Sequence, residues 1–483
     1  MLIVRGSFIR LALLGASVAG AGGAQAPAAS SAALPPIRAL GKPSAVSKDL
    51  LGAVSQVRAL PGGRVLVNDN LGRKVVMFDP TLASYTIVAD TTSATANAYS
   101  SRAAGLIAYK GDSTLFVDPQ SLSMLVIDGK GQVGRVMSIP RPNDAGALIG
   151  GPNGTPGFDA SGRLVYRAVG GIRLGGPGRG GDGGRGGAGG ERVRVATPAA
   201  APGAFPIPEF PDSTAIIRID MESRAVDTVA KVKIPKQNMQ VTQRPDGGMS
   251  INAIMNPMQY VDDWAVTSDG RVAVVRGQEY RVDWMGEGNT VASSSKLPFA
   301  WQQLSDSAKT AFLDSTRTAM EKLREQAMAR MQAGGAGAPI VMGGPPGGGA
   351  AVAQAFTFEM RAGAELRSRG DAPAGRAAGP GGATQMQVPP IQLVGANELP
   401  DYAPPFAVGS VRGDADGNVW IRTSHVYDGG SVYDIVNSKG MLTDRVLLPA
   451  GRVIAGFGPG VVYMGFRDGE GVRLEAAPIR AQP

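Results

Sequence analysis

The sequence predicts an all-β fold, a six-bladed β-propeller with one inserted α-helix and Gly/Pro-rich disordered insertions. Three observations predict it. A glycine turn followed by a short β-branched run recurs along the chain. Most copies are followed by a second run ending near an acidic residue or Asn, and then by a third run that leads into Pro. Two long interruptions, one of them helical in pattern, fall between these units.

The first runs are LPGGRVLVND (60–69), YKGDSTLFVD (109–118), DASGRLVYR (159–167), TSDGRVAVVR (267–276), DADGNVWIR (414–422) and GFGPGVVYMG (456–465). The turn residues Gly63 and Asp112 lie 49 apart, Asp112 and Gly162 lie 50 apart, and Gly417 and Gly460 lie 43 apart. Four antiparallel strands per unit at this period suit a propeller blade, because a single sheet cannot cover both of its own faces and a ring of sheets can. Blades one to four are assigned to 33–299 and blades five and six to 405–480. The last unit has three runs, so the segment 33–43 is expected to complete the ring from the other end of the chain.

The stretch GGRVLVNDNLGRKVVMFDP (62–80) resembles an NHL repeat, and STLFVDPQSLSMLVIDGKG (113–131) resembles it more loosely. Glycine and aspartate turns of this kind are shared by NHL, TolB-like and lactonase-like six-bladed propellers. The resemblance implies a fold and leaves the activity open. It fits an exported bacterial member of that group.

Two units are interrupted. Gly162 and Gly270 are 108 apart, and Gly270 and Gly417 are 147 apart. The first excess is a Gly/Pro-rich insertion, 170–212, between the second and third strands of blade three. The second is a helical and low-complexity insertion, 300–404, between blades four and five. In an up-down blade both positions open onto the same side of the ring, as do the connections at 90–104, 140–157 and 236–259. Loops raised on one side of a rigid scaffold are where binding function is expected. The string GRGGDG (178–183) fits a phosphate-cradle pattern, but the prolines after it preclude the helix such a cradle needs. The helix is expected over 305–332, capped by Ser305 or Ser307, with Ala308, Phe312, Ala319, Leu323 and Ala327 on one apolar stripe and Met320 and Met331 beside it. It reads either as a brace on the propeller rim or as a lid.

Residues 1–26 carry Arg5 and Arg10, a short apolar run and small residues at Ala24 and Ala26, the layout of a secretory signal peptide. A periplasmic or secreted location follows as an expectation, with no membrane span in the mature chain. The formal charge of +8 would fall to +6 on removal of that segment, and no basic run interleaved with aromatics marks a nucleic-acid partner. The absence of cysteine excludes a disulfide framework, a thiolate metal site and a Cys nucleophile.

Candidate binding residues lie where loops leave the strands on the elaborated side: Asp69 and Asn70 beside Asn68 in blade one, Asp118 in blade two, Asp263 beside Asp262 in blade four, Arg276 and Glu279 after the next strand, and His425 in blade five. The single histidine excludes the paired-histidine chemistry of propeller lyases. A ring of carboxylates and amides has the oxygen chemistry that Ca²⁺ prefers, and the lactonase-like resemblance implies such a site. Otherwise no cofactor is expected. Asp79, Asp128 and Asp220 read as turn-makers. The expected function is a monomeric binding or interaction module for a peptide, a glycan or an envelope protein, with a Ca-assisted hydrolase or lactonase as the alternative.

Overall fold

A computed structural model describes residues 33–92, 97–100, 104–168, 211–236, 238–243, 249–332 and 392–480. The expected signal peptide, most of the 170–212 insertion and the low-complexity part of the second insertion lie outside the described residues.

The chain forms a six-bladed β-propeller. Blade one contains Gln56–Ala59, Val65–Asp69, Lys74–Phe78 and Tyr85–Asp90. Blade two contains Gly105–Ala108, Thr114–Asp118, Ser123–Ile127 and Val133–Ser138. Blade three contains Gly157–Phe158, Leu164–Arg167, Ser213–Ile219 and Val226–Lys233. Blade four contains Asp263–Val266, Val272–Arg276, Arg281–Met285 and Val291–Ser293. Blade five contains Val411–Gly413, Val419–Tyr427, Gly430–Val436 and Leu442–Leu448, and blade six contains Arg452–Gly458, Val461–Asp468 and Gly471–Pro478.

The core is a ring of inter-blade layers. Leu66, Val75 and Met77 pack with Phe116 and Leu125 between blades one and two. Val275 and Val282 pack with Val419 and Ile421 between blades four and five. Trp420 and Tyr433 pack with Ile454 and Val462 between blades five and six, and Val65 and Val76 pack with Leu474 and Ala476 where the ring closes. Alternating strand residues feed opposite layers, so each sheet is apolar on both faces.

Closure differs from the expectation for 33–43. Ile37–Ala39 runs parallel to Leu442–Leu448 on the outer edge of blade five, and Ala45–Val46 supplies the fourth strand of blade six. Ser47 fixes this seam, its hydroxyl accepting from the Leu474 N–H at 3.0 Å. Pro35 and Pro36 precede the first of these strands, which sits at a sheet edge where few backbone donors are required.

The two sides of the ring are built differently. On one side every connection is a tight hairpin, and the first hairpin of each blade contains a left-handed glycine: Gly63, Gly111, Gly162, Gly270, Gly417 and Gly460. At Gly270 a Cβ would stand 2.3 Å from the Ala160 nitrogen. Asp79 holds its turn by accepting from Thr81 and Ser84, Asp128 from Lys130 and Gln132, and Asp220 from Glu222 and Ser223. The other side carries the long connections. There 236–259, expected as a simple connection, folds into a hairpin of Asn238–Gln243 and Met249–Met255, and Gln392–Leu393 joins it in parallel.

The helix Asp306–Gln332 lies against this extra sheet. Its buried stripe is Lys309, Leu313, Thr316, Met320 and Leu323, one residue out of phase with the expected stripe except at Leu323. Polar residues caused the difference. The Lys309 stem is buried while its ammonium reaches Asp401 at 2.7 Å, and the Thr316 hydroxyl donates to the Phe312 carbonyl, so both enter the contact face without an unpaired group. Leu313 packs on Val394 and Leu399, and Met320 and Leu323 pack on Met255 and Leu393. These contacts brace the helix.

Candidate binding face

The predicted residues occupy the elaborated side, but each is engaged within its own neighbourhood. The Asp69 carboxylate is buried and accepts from the N–H groups of Ala53 at 2.8 Å, Gly52 at 3.0 Å and Gly72 at 2.8 Å. It ties the incoming chain to the mouth loop of blade one, and a Cβ at Gly72 would sit 2.1 Å from it. Asn68 donates to the Ala104 carbonyl at 2.9 Å, while its Oδ1 and that of Asn70 are buried without a partner. Asp118 accepts from Ser100 N–H at 2.8 Å, from the Ser100 and Ser121 hydroxyls and from Gln120 N–H. Burial alone would raise this carboxyl, but those donors outweigh it and hold it below the usual range.

Asp263 receives the N–H of Val411 at 2.9 Å and of Trp264 at 3.0 Å, so it stitches blade four to blade five. Burial pushes its pKa up to about 6 in spite of these bonds. Arg276 does not pair with Asp263. It bridges Asp262 at 2.8 Å and Asp283 at 2.7 Å and donates to the Lys231 carbonyl. Glu279 pairs with Arg281, which also reaches Asp283.

His425 lies within the second strand of blade five, not in the loop beyond it, and a register shift there turns it toward the insertion. Its Nε2 donates to the Ala300 carbonyl at 3.0 Å, and its ring stacks on Phe299 with centroids 4.5 Å apart. Burial lowers its pKa, which favours the neutral ring. The structure therefore does not bring the predicted residues together.

This arrangement also tests the implied Ca²⁺ site. A cation needs carboxylate lone pairs facing one cavity. Here N–H and O–H donors occupy the carboxylates of Asp69, Asp118 and Asp263, and each sits on a different blade. These residues do not fit the ion, and among the described residues no group of three or more His, Cys, Asp or Glu converges.

Sequence reasoning missed two features. The first is how the second insertion is attached. Gln303 pairs with Tyr402, Leu304 N–H donates to Asp401 O at 2.8 Å, and Ala403 N–H donates to Gln302 O at 2.9 Å. The excursion thus leaves and returns through a clasped stem. Aromatic rings gather at its foot: Phe299 lies 5.2 Å from Trp301, Tyr280 lies 5.0 Å from Phe299, and Tyr260 lies 6.5 Å from Trp301. The Tyr260 hydroxyl donates to the Tyr402 carbonyl at 3.0 Å. Trp301 and Tyr260 are half-buried, and Gln302 and Gln303 beside them are exposed. The signal was available in the aromatics flanking the insertion, Phe299, Trp301, Tyr402 and Phe406. The second feature is a cluster of basic and hydroxyl side chains in blade five, Arg412, Arg422, Tyr433 and Ser410.

No family model matches the chain, and no curated protein matches it. Among solved structures, the chain is similar to a catalytically inactive virginiamycin B lyase from Staphylococcus aureus with quinupristin, at 7% identity and a TM-score of 0.35, covering 90% of this chain and 98% of that one. It is similar to the PQQ-bound aldose sugar dehydrogenase of Streptomyces coelicolor, at 11% identity and a TM-score of 0.35, covering 92% of this chain and 100% of that one. It is also similar to the calcium-binding protein regucalcin from Agrobacterium tumefaciens, at 10% identity and a TM-score of 0.33, covering 92% of this chain and 99% of that one. Likeness at this level carries no information about ligand or reaction.

Proposed function

We propose that the protein is an exported six-bladed propeller of the NHL or TolB-like type that binds a peptide or glycan at its elaborated face, in the periplasm or outside the cell. The observation that carries this reading is the Tyr260–Trp301 platform at the clasped foot of the insertion. Half-exposed aromatic rings offer flat apolar area at low entropic cost, and the neighbouring amides of Gln302 and Gln303 supply directional hydrogen bonds. Stem pairing and the stacked Phe299 beneath fix the platform before a ligand arrives, which lowers the cost of binding.

Glycan and peptide arrays probed with the full chain test this reading. Trp301→Ala is expected to weaken any captured ligand by about tenfold or more, with thermal stability little changed. Ligands that bind the variant as well as the wild type would move the site elsewhere. Metal content and Ca²⁺-dependent melting address the hydrolase alternative: a tightly retained cation with a large thermal shift would favour it over a binding module.

A further inference from the structure

Blade five presents different chemistry on its two faces. Val411, Val419 and Ile421 pack toward blade four, so the residues between them point toward blade six. Arg412 lies directly across from Trp420, and Arg422 follows Trp420 by two residues, directly across from Tyr433. Ser410 precedes Arg412 by two residues, and its carbonyl accepts from the Arg422 N–H at 3.0 Å. All four therefore share the blade-six face, with Arg422, Tyr433 and Ser410 nearer the elaborated side. Diagonal neighbours on a sheet lie about 7 Å apart, close enough for two arginine forks to meet one small group.

Among the described residues, neither the Arg412 nor the Arg422 side chain makes a hydrogen bond or ion pair. The Ser410 hydroxyl is buried without a partner. Tyr433 is 5% exposed, its ring lies 6.0 Å from that of Trp420, and its hydroxyl likewise has no partner among the described residues. The Arg412 side chain is half-buried and keeps contact with solvent. Burial lowers its pKa and Asp263 acts on it in the opposite direction, but that carboxylate is already held by backbone N–H groups and is also sensed by Arg167. A buried donor without an acceptor, as at the Ser410 hydroxyl, is costly unless something fills the space beside it.

We propose that Arg412, Arg422, Tyr433 and Ser410 form a binding site for an anionic group, a carboxylate or a phosphate, carried by a ligand that approaches from the elaborated face. Two planar forks, each able to donate twice, with a phenol and a hydroxyl supply up to about six donors for one oxyanion, and arginine keeps its charge at such a site. The proposal deepens the reading of the elaborated face and rests on it only for the direction of entry.

Calorimetric titration of the full chain at low ionic strength, with inorganic phosphate in one arm and malonate in the other, tests it. One saturable site for at least one probe is expected. Phosphate alone would identify a phosphoryl ligand, and malonate alone a carboxylate ligand. Arg412→Gln and Arg422→Gln should each weaken binding about tenfold or more, and Arg422→Lys, which keeps the charge and loses the fork, by less. Tyr433→Phe retains the packing on Trp420, so a several-fold loss in that variant reads the hydroxyl without a folding defect. Absence of saturable binding by both probes overturns the proposal, as does unchanged affinity in Arg422→Gln and Tyr433→Phe. Trp301→Ala should leave these affinities intact, so the platform and the anion site fail separately.

Discussion

The two faces of blade five differ in whether their polar groups find partners. Toward blade four, the buried Asp434 accepts from the Tyr280 hydroxyl at 2.6 Å and from Arg445 at 3.2 Å, and the Asp263 carboxylate of blade four accepts from the Val411 N–H at 2.9 Å. Toward blade six, Arg412, Arg422, Tyr433 and Ser410 face one another with no acceptor among the described residues. Both faces have similar apolar layers around them, Val419 and Ile421 on one side, Trp420 and Ile435 on the other. The polar groups differ in burial as well: Asp434 and Tyr280 are fully buried, whereas Arg412 and Arg422 are half-buried. A closed network holds blades in register, whereas an open one of a single sign has the form of a receptor.

The closed side should be the more sensitive to mutation. Asp263→Ala would leave the Val411 and Trp264 N–H groups buried and unsatisfied, and should destabilise the protein by about 3 kcal/mol in urea unfolding. A loss below about 1 kcal/mol would mean that water replaces the carboxylate and that the seam between blades four and five is looser than its hydrogen bonds indicate.

Asp434 sharpens the same contrast through pH. Burial pushes its pKa up to about 6, with Tyr280 and Arg445 only partly opposing the shift. An unfolded aspartate titrates near 3.9, so between about pH 4 and pH 6 the folded protein holds the additional proton. Its contribution is fully present below that window and is lost as pH rises through it. Asp434→Asn cannot ionise, so the stability advantage of wild type over this variant should shrink from pH 4 to pH 6.5. A difference independent of pH would show that Asp434 remains ionised throughout.

The ring was legible because recurring turn glycines report backbone conformation directly: Gly63, Gly162, Gly270, Gly417 and Gly460 all adopt the left-handed geometry that the repeat requires, even where insertions stretch the spacing. The side on which insertions emerge was legible for the same reason, since strand order fixes it. The site was less so. Asp69 and Asp118 look the same in sequence whether they face solvent or backbone N–H groups, and the structure shows the latter. Arg412 and Arg422 sit in ordinary strand patterns, and their lack of a partner depends on what the neighbouring blade presents, information that no local string contains. The helix stripe slipped by one residue because Lys309 and Thr316 count as polar while their stems and local hydrogen bonds allow burial.

The smallest effect is expected at Lys309. Its side chain is 5% exposed but that of Asp401 is 51% exposed, so the pair is closed yet open to water on one partner. Solvent screening on the aspartate side reduces the attraction, and the lysine stem contributes mainly by covering apolar surface. Lys309→Met keeps that stem and removes the charge. It should change unfolding stability by less than about 1 kcal/mol, with a sign set by the balance of desolvation and screening. A larger loss would place this ion pair with the buried networks of blades four and five, and would make the clasped stem depend on charge more than on its backbone pairing.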